Sequence, residues 1–279
     1  MLVGIHKSPY GNVELILSKF RDILDFNEIK YINLDSSSRD FWEIIPTLDL
    51  FIYYWEHYDR YRYHAQTILP IIEFEYGIKC LPNQATCWHY DDKIRQFYLL
   101  KKNNFPVVDS WAFWDEKIAL KWIHEDACFP LVFKLSVGAG SSNVILVKNK
   151  HSARKLVKQM FGKGINTGRV PSNNAVRYKS LYSYLRSYSE PIKKRLLGRD
   201  FELNWNVQKN YSYFQEFLPN NEFDTRVTTI GNRSFAFRRY VRKNDFRASG
   251  SNDWSLKRSY IDMRMVKIAQ EISQKMGFQ

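Results

Sequence analysis

The chain has 279 residues, 44% hydrophobic and 25% charged, the balance of a globular protein with room for one large domain or two to three lobes around a substantial core. A formal net charge of +13 at pH 7 favours anionic partners: nucleotides, carboxylated or phosphorylated molecules, acidic glycans, nucleic acid or an anionic membrane surface. Three cysteines (Cys80, Cys87 and Cys128) without a C-x-x-C pair argue against a disulfide framework and against a cysteine zinc site, and nowhere do about 18 apolar residues run together to span a membrane.

The apolar run before His6 and Lys7 is too short for a signal peptide, so a cytoplasmic protein is expected. Buried strands are predicted at Leu2 to Ile5, Lys30 to Leu34 and Leu50 to Trp55, with helices at Val13 to Leu24 and Ala65 to Tyr76. This alternation predicts a small open α/β lobe over residues 1–83. After the turn-like Leu81-Pro82-Asn83, a helix capped at Asp91 or Asp92 runs to Asn103-Asn104, and a second helix covers about Asp115 to Glu125. Strands follow at Leu131 to Leu135 and Val144 to Lys148, then a helix capped by Ser152. Residues 162–199 carry nine Lys and Arg against one acid, Glu190, and residues 162–200 read as an inserted, partly mobile basic segment within a subdomain spanning 84–218. A third region, 219–279, follows. The strand pattern over Tyr211 to Leu218 is succeeded by a hairpin of Asp224 to Ile230 with Ser234 to Arg242, and by a helix showing Met265, Ile268, Ala269, Ile272 and Met276 on one face before Gly277.

Four segments could carry chemistry, each with a bland counterpart. Lys134 is a cation inside an apolar strand and calls for an anionic partner, unless it snorkels to water. Gly138, Ala139, Gly140, Ser141 and Ser142 form a loop whose free backbone N–H groups suit a phosphate chain, although such a hairpin also serves as a plain turn. Gln215, Glu216, Phe217 and Leu218 end a strand where backbone groups could meet an adenine edge, with Glu222 and Asp224 in reach of a ribose. Alternation places Phe235, Phe237, Arg239 and Val241 on one face of the hairpin. Arg239, with Arg226, could therefore hold a carboxylate or a transferring phosphoryl group. Pairing with Asp224 or Asp245 is the structural alternative.

Taken in order, these segments resemble the ATP-grasp superfamily, most closely the branch of glutathione synthetase and the ribosomal-protein glutamate ligases. The matching stretches are Leu81 to Asn83 with Asp91 to Lys93, then Phe129 to Val147, Gln215 to Val227 and Arg238 to Ser251. The resemblance covers roughly Leu81 onward without the basic insert. It implies an ATP-grasp fold of the α/β class behind an α/β lobe, and an ATP-dependent carboxylate–amine ligase acting through an acyl phosphate. Small-molecule or peptide carboxylates and amines would be its substrates. In this reading Lys93 and Lys134 bind phosphates, the loop 138–142 closes over them, Glu216 to Leu218 hold adenine, and Glu222 or Asp224 the ribose. Arg226, Arg239 and Arg247 neutralise the acyl phosphate and γ-phosphate. Ser249 lies in Arg247-Ala248-Ser249, where the ribosomal-protein ligases have Arg-Ser-Asn. The family's Mg²⁺ ligands sit on strands after the last helix, so they are expected beyond Gln279. A noncatalytic nucleotide-binding fragment is a second reading. Nucleic-acid binding through Tyr178, Tyr182, Tyr184 and Tyr188 among the insert's cations is a third and carries the least weight. Sequence leaves the oligomeric state open.

Overall fold

The structure, a computed structural model, describes residues 1–7, 11–54, 59–138, 143–166, 207–243, 245–249 and 251–277. Two compact units emerge, residues 1–106 with 220–279, and residues 107–219. The basic tract and its four tyrosines lie outside the described residues from position 167 on, as do Ala139 to Ser142.

The first unit opens with a wholly parallel sheet of β1 (Leu2–His6), β2 (Lys30–Leu34), β3 (Leu50–Ile52) and β4 (Lys79–Leu81), in the order β2-β1-β3-β4. Apolar side chains leave both faces, as a sheet covered on both sides requires. Val3, Ile5 and Ile52 meet Val13, Leu17 and Leu24 of α1 (Gly11–Phe26). On the other face Phe51, Tyr53 and Cys80 pack with Phe41 of α2 (Phe41–Ile44) and with Ala65, Ile68 and Leu69 of α3 (Asp59–Pro70). Gly4 is required here because a Cβ at that position would stand 2.5 Å from Leu48 Cδ1 and 3.0 Å from Leu34 Cδ1.

The predicted helix Ala65 to Tyr76 begins earlier, at Asp59, and changes character after Pro70, where Ile71–Glu75 forms a π-helical turn. Proline has no N–H for the i→i−4 ladder and crowds the preceding turn; the widened turn that follows is closed by Tyr76 N donating to Ile71 O at 3.1 Å. The strand at Leu50 stops at Ile52 instead of continuing to Trp55, and β4 falls where only a turn was foreseen. Then come α4 (Gln84–His89), capped by Asn83 Oδ1 at 2.8 Å from Thr86 N, and α5 (Lys93–Lys102). Asp92 Oδ1 caps α5 by accepting from Ile94 N and Arg95 N, both at 3.1 Å.

The second unit is built on an antiparallel sheet of β5 (Ser110–Phe113), β6 (Leu131–Lys134), β7 (Val144–Val147) and β10 (Ser212–Glu216), in the order β5-β10-β6-β7. The short pair β8 (Ile165–Asn166) and β9 (Val207–Gln208) lies beside it in sequence. α6 (Glu116–Glu125) carries Trp122, whose ring lies 5.1 Å from Trp111, 5.0 Å from Phe113 and 5.6 Å from Phe214. In α7 (Lys150–Phe161), Ala153, Leu156, Val157 and Met160 are buried as predicted, but the cap is Asn149, not Ser152: Asn149 Oδ1 accepts from Ser152 N at 2.9 Å.

The chain then returns to the first unit with β11 (Phe223–Ile230), β12 (Arg233–Tyr240) and the short β13 (Trp254–Ser255). α8 (Met263–Met276) follows, capped by Asp262 and stopped by Gly277 at φ +60°. Its predicted apolar face is only half covered: Met265 is 42% exposed, and no residue of α8 is fully buried. Lys275 ties this helix to the first segment of the unit by donating to Asn103 O at 3.1 Å.

Candidate functional site

In the second unit, β6 is buried on both faces, with Leu131, Val132 and Phe133 each at most 5% exposed, and Lys134 ends it half-buried. Register explains what the lysine meets. Gln215 on β10 stands opposite Val132, two residues from Lys134 and so on the same face. Lys134 Nζ donates to Gln215 Oε1, while Gln215 Nε2 donates to Ser110 Oγ at 3.1 Å. The ammonium is held in place on a rigid strand by an amide that is itself oriented.

Just past β6, Ser136 N donates to the Tyr211 hydroxyl at 2.8 Å, and that hydroxyl donates to Gln208 Oε1 at 3.2 Å. Gly138 has φ +108°, and a Cβ there would fall 2.0 Å from Asn143 Nδ2; glycine is demanded by the backbone and by the neighbour alike. Asn143, 2% exposed, donates from Nδ2 to Val137 O at 3.1 Å and accepts through its backbone O from Leu135 N at 3.1 Å. The two feet of the glycine-serine loop are thereby fixed, while Ala139, Gly140, Ser141 and Ser142 lie outside the described residues. Glu216 is exposed, its N–H donating to Asp109 O at 2.8 Å. Phe217 is half-buried and Leu218 is 46% exposed.

In the first unit, Lys93 is the first residue of α5, its Nζ 3.9 Å from Asp91 Oδ1 with both side chains mostly buried. Burial holds its ammonium pKa below the ordinary lysine value, with Arg62 adding to that and Asp91 and Asp92 opposing it. Glu222 is exposed and its backbone O accepts from Val241 N at 2.9 Å.

The hairpin register puts Asp224 opposite Arg239 and Arg226 opposite Phe237 on one face. Arg239 donates from Nε and Nη2 to the two Asp224 oxygens, each at 2.8 Å. That hydrogen-bonded carboxylate raises the guanidinium pKa. The pairing offered as the structural alternative is the observed one. The face is also more open than the alternation suggested, with Phe235 57% exposed. Arg226 is exposed on this strand, its side chain outside the Asp224–Arg239 pair.

Arg247 likewise meets Asp245, Nη2 to Oδ2 at 2.6 Å and Nε to Oδ1 at 2.9 Å, with side chains 9% and 11% exposed. Burial alone would raise the Asp245 carboxyl pKa, but the Arg247 hydrogen bonds outweigh it and hold that pKa below the usual range. Ser249 contributes its backbone O, which accepts from Arg242 Nε at 2.9 Å. Arginine–carboxylate forks thus organise the loop after β12.

In the second unit a half-buried lysine, oriented by Gln215, ends β6 four residues before a glycine with φ +108°, and in the first unit Lys93 is a separate, mostly buried cation. Among the described residues no group of three or more His, Cys, Asp or Glu could hold a metal, and no helix there is long and apolar enough to cross a membrane.

No family model and no curated protein matches the sequence. Solved structures do. The chain is similar to a RimK domain ATP-grasp protein from Sphaerobacter thermophilus (TM-score 0.52, 12% identity, 100% of this chain and 83% of that one). It is similar to D-alanine–D-alanine ligase from Bacillus anthracis complexed with ATP (0.52, 13%, 99% and 78%). D-alanyl-alanine synthetase A from Vibrio cholerae aligns over 100% of this chain and 82% of its own at TM-score 0.54 and 8% identity. Identities this low speak to architecture alone. With a parallel lobe, an antiparallel sheet bearing the lysine strand, and a long arginine-bearing hairpin following in that order, the chain has the ATP-grasp fold.

Proposed function

We propose that the protein is an ATP-dependent ligase joining a carboxylate to an amine through an acyl phosphate. The observation that carries the reading is a likeness spanning 99% of the chain to an ATP-grasp ligase complexed with ATP, together with a strand lysine positioned by Gln215 and Ser110. In the proposed reaction ATP phosphorylates the carboxylate, and the amine attacks the acyl carbon and releases phosphate. Lys93 and Lys134 attract the phosphates, residues 138–142 close over them, and the backbone of Glu216 to Leu218 meets the adenine. Glu222 is the better ribose acceptor of the two acids, because Asp224 is committed to Arg239. Arg226, exposed on the same hairpin face, is the guanidinium assigned to a transferring phosphoryl group. Arg239 keeps its Nη1 donors for the same use, whereas Arg247 and Ser249 chiefly hold the loop. Toward the phosphates these side chains act as cations and hydrogen-bond donors.

The test is calorimetric titration with ATP, followed by ADP release across a panel of amino acids, short peptides and uronic acids as carboxylates, each with amine acceptors. Saturable binding and acceptor-dependent ADP release are expected, and Lys134→Ala should weaken binding by about tenfold or more, the loss of a charge-assisted contact worth about 1.5–3 kcal/mol. Neither binding nor ADP release would overturn the proposal. Binding without release would leave a noncatalytic nucleotide-binding protein.

A further inference from the structure

His6 ends β1, Ser36 follows β2 and Tyr53 follows β3, so three adjacent parallel strands deliver these side chains to one carboxyl edge of the sheet; α3 adds His64. The strand order β2-β1-β3-β4 changes direction at β1, which is where open parallel sheets place their sites. Ser36 Oγ lies 2.9 Å from His64 Nε2 and 3.0 Å from His6 Nε2. His64 Nδ1 lies 2.6 Å from the Tyr53 hydroxyl. Tyr53 is 2% exposed, whereas His6, Ser36 and His64 remain partly open to solvent. None of these residues belongs to the nucleotide-binding set described above.

A hydroxyl has one proton, so one imidazole accepts from Ser36 and the other donates to it. In the tautomer that places the His64 proton on Nδ1, facing the Tyr53 oxygen, His64 Nε2 is the acceptor and His6 Nε2–H the donor. Nucleophile, base and a third group orienting the base then stand within hydrogen-bond reach. Burial, and to a lesser degree His64, lower the His6 pKa to about 4, and burial also lowers that of His64. Both rings are therefore neutral near pH 7 and open to a proton, while the Asp35 carboxylate favours positive charge on each.

We propose that Ser36 is an activated nucleophile that takes up an acyl group from small activated esters, with His64 as its general base and Tyr53 as a positioning residue. Ser36 Oγ attacks the ester carbonyl carbon and its proton moves to His64 Nε2. The leaving alcohol departs as its anion with the bonding electron pair, and His64 then returns its proton to solvent. The product is an O-acylated Ser36. This activity stands apart from the ligase reading.

The experiment treats the full chain with p-nitrophenyl acetate and follows p-nitrophenolate release together with peptide mass spectrometry. A burst of about one equivalent per chain, with acetyl on Ser36, is expected. Ser36→Ala should remove the burst, and His64→Gln should slow it about 100-fold. Tyr53→Phe should leave the acetyl on Ser36 but move the pH at which the burst rate is half-maximal, a shift that a mere packing role would not produce. The groups setting that pH are His6 and His64 themselves, Asp35, Lys7 beside it and Tyr53. Acetyl on lysines or imidazoles with Ser36 bare, or a burst surviving in Ser36→Ala, would overturn the assignment. Calorimetric ATP binding is read independently, so failure of this proposal is distinguishable from failure of the ligase reading.

Discussion

The arginines of the hairpin show how an identical side chain takes two parts according to its neighbour. Arg239 is forked onto Asp224, and Arg226, two positions from that aspartate, is exposed. Arg226→Ala should therefore change stability by no more than about 0.5 kcal/mol while lowering acceptor-dependent ADP release; unfolding midpoints and turnover, measured on the same preparation, check both halves. Asp245→Asn should behave in the opposite way. It removes the carboxylate from a pair 9% and 11% exposed and should cost about 2–3 kcal/mol in urea unfolding. The pH dependence has a fixed sign. The folded pKa of Asp245 lies below its ordinary value, so the pair's contribution is complete above the unfolded pKa of about 3.9. It is lost as pH falls from there through the lower folded value, and the variant should lack that acid-side loss. Alternation along Phe235, Phe237 and Arg239 is legible in the sequence, but the choice between Asp224 and Asp245 as partner is not, because cross-strand register depends on the turn and cannot be read from one strand.

At the scale of elements, caps were the most legible feature. Of the two candidates Asp91 and Asp92 the second caps α5, and Gly277 stops α8 where left-handed freedom says it should, while Asp115, read as the first residue of its helix, is its cap. Asn149 was overlooked because Ser152, itself a good cap, stands three residues on; in the structure Ser152 supplies the capped N–H instead. Asn149→Ala should lower stability by about 1 kcal/mol, visible as a shift in the urea midpoint, whereas a similar loss for Ser152→Ala would contradict the assigned cap. The short strands β4 and β5 escaped notice since three or four residues are too few for a period to declare itself, and their pairing is set by distant segments. The same limit hid the His6, Ser36 and His64 cluster, whose members are 30 and 28 residues apart.

For the whole molecule, the formal net charge of +13 sets a field that raises the local concentration of anions. Nucleotide association should accordingly weaken as ionic strength rises, since the Debye length falls from about 10 Å at 0.1 M to about 3 Å at 1 M; titrations in a salt series check this. The order of segments made the fold readable where single motifs could not: a lysine strand, a glycine loop and an arginine hairpin are each ordinary, and their succession is not.

The cysteines turn the fold into its own clock. Cys80 on β4 and Cys87 on α4 are 3% and 0% exposed, with thiol pKa values pushed by burial to about 12 and about 11, while Cys128 is exposed. In the native protein a maleimide should modify Cys128 at once. The other two thiols can react only when the parallel sheet opens, so their labelling rate under native conditions times the breathing of that one unit, with Cys128 as the internal zero of the measurement.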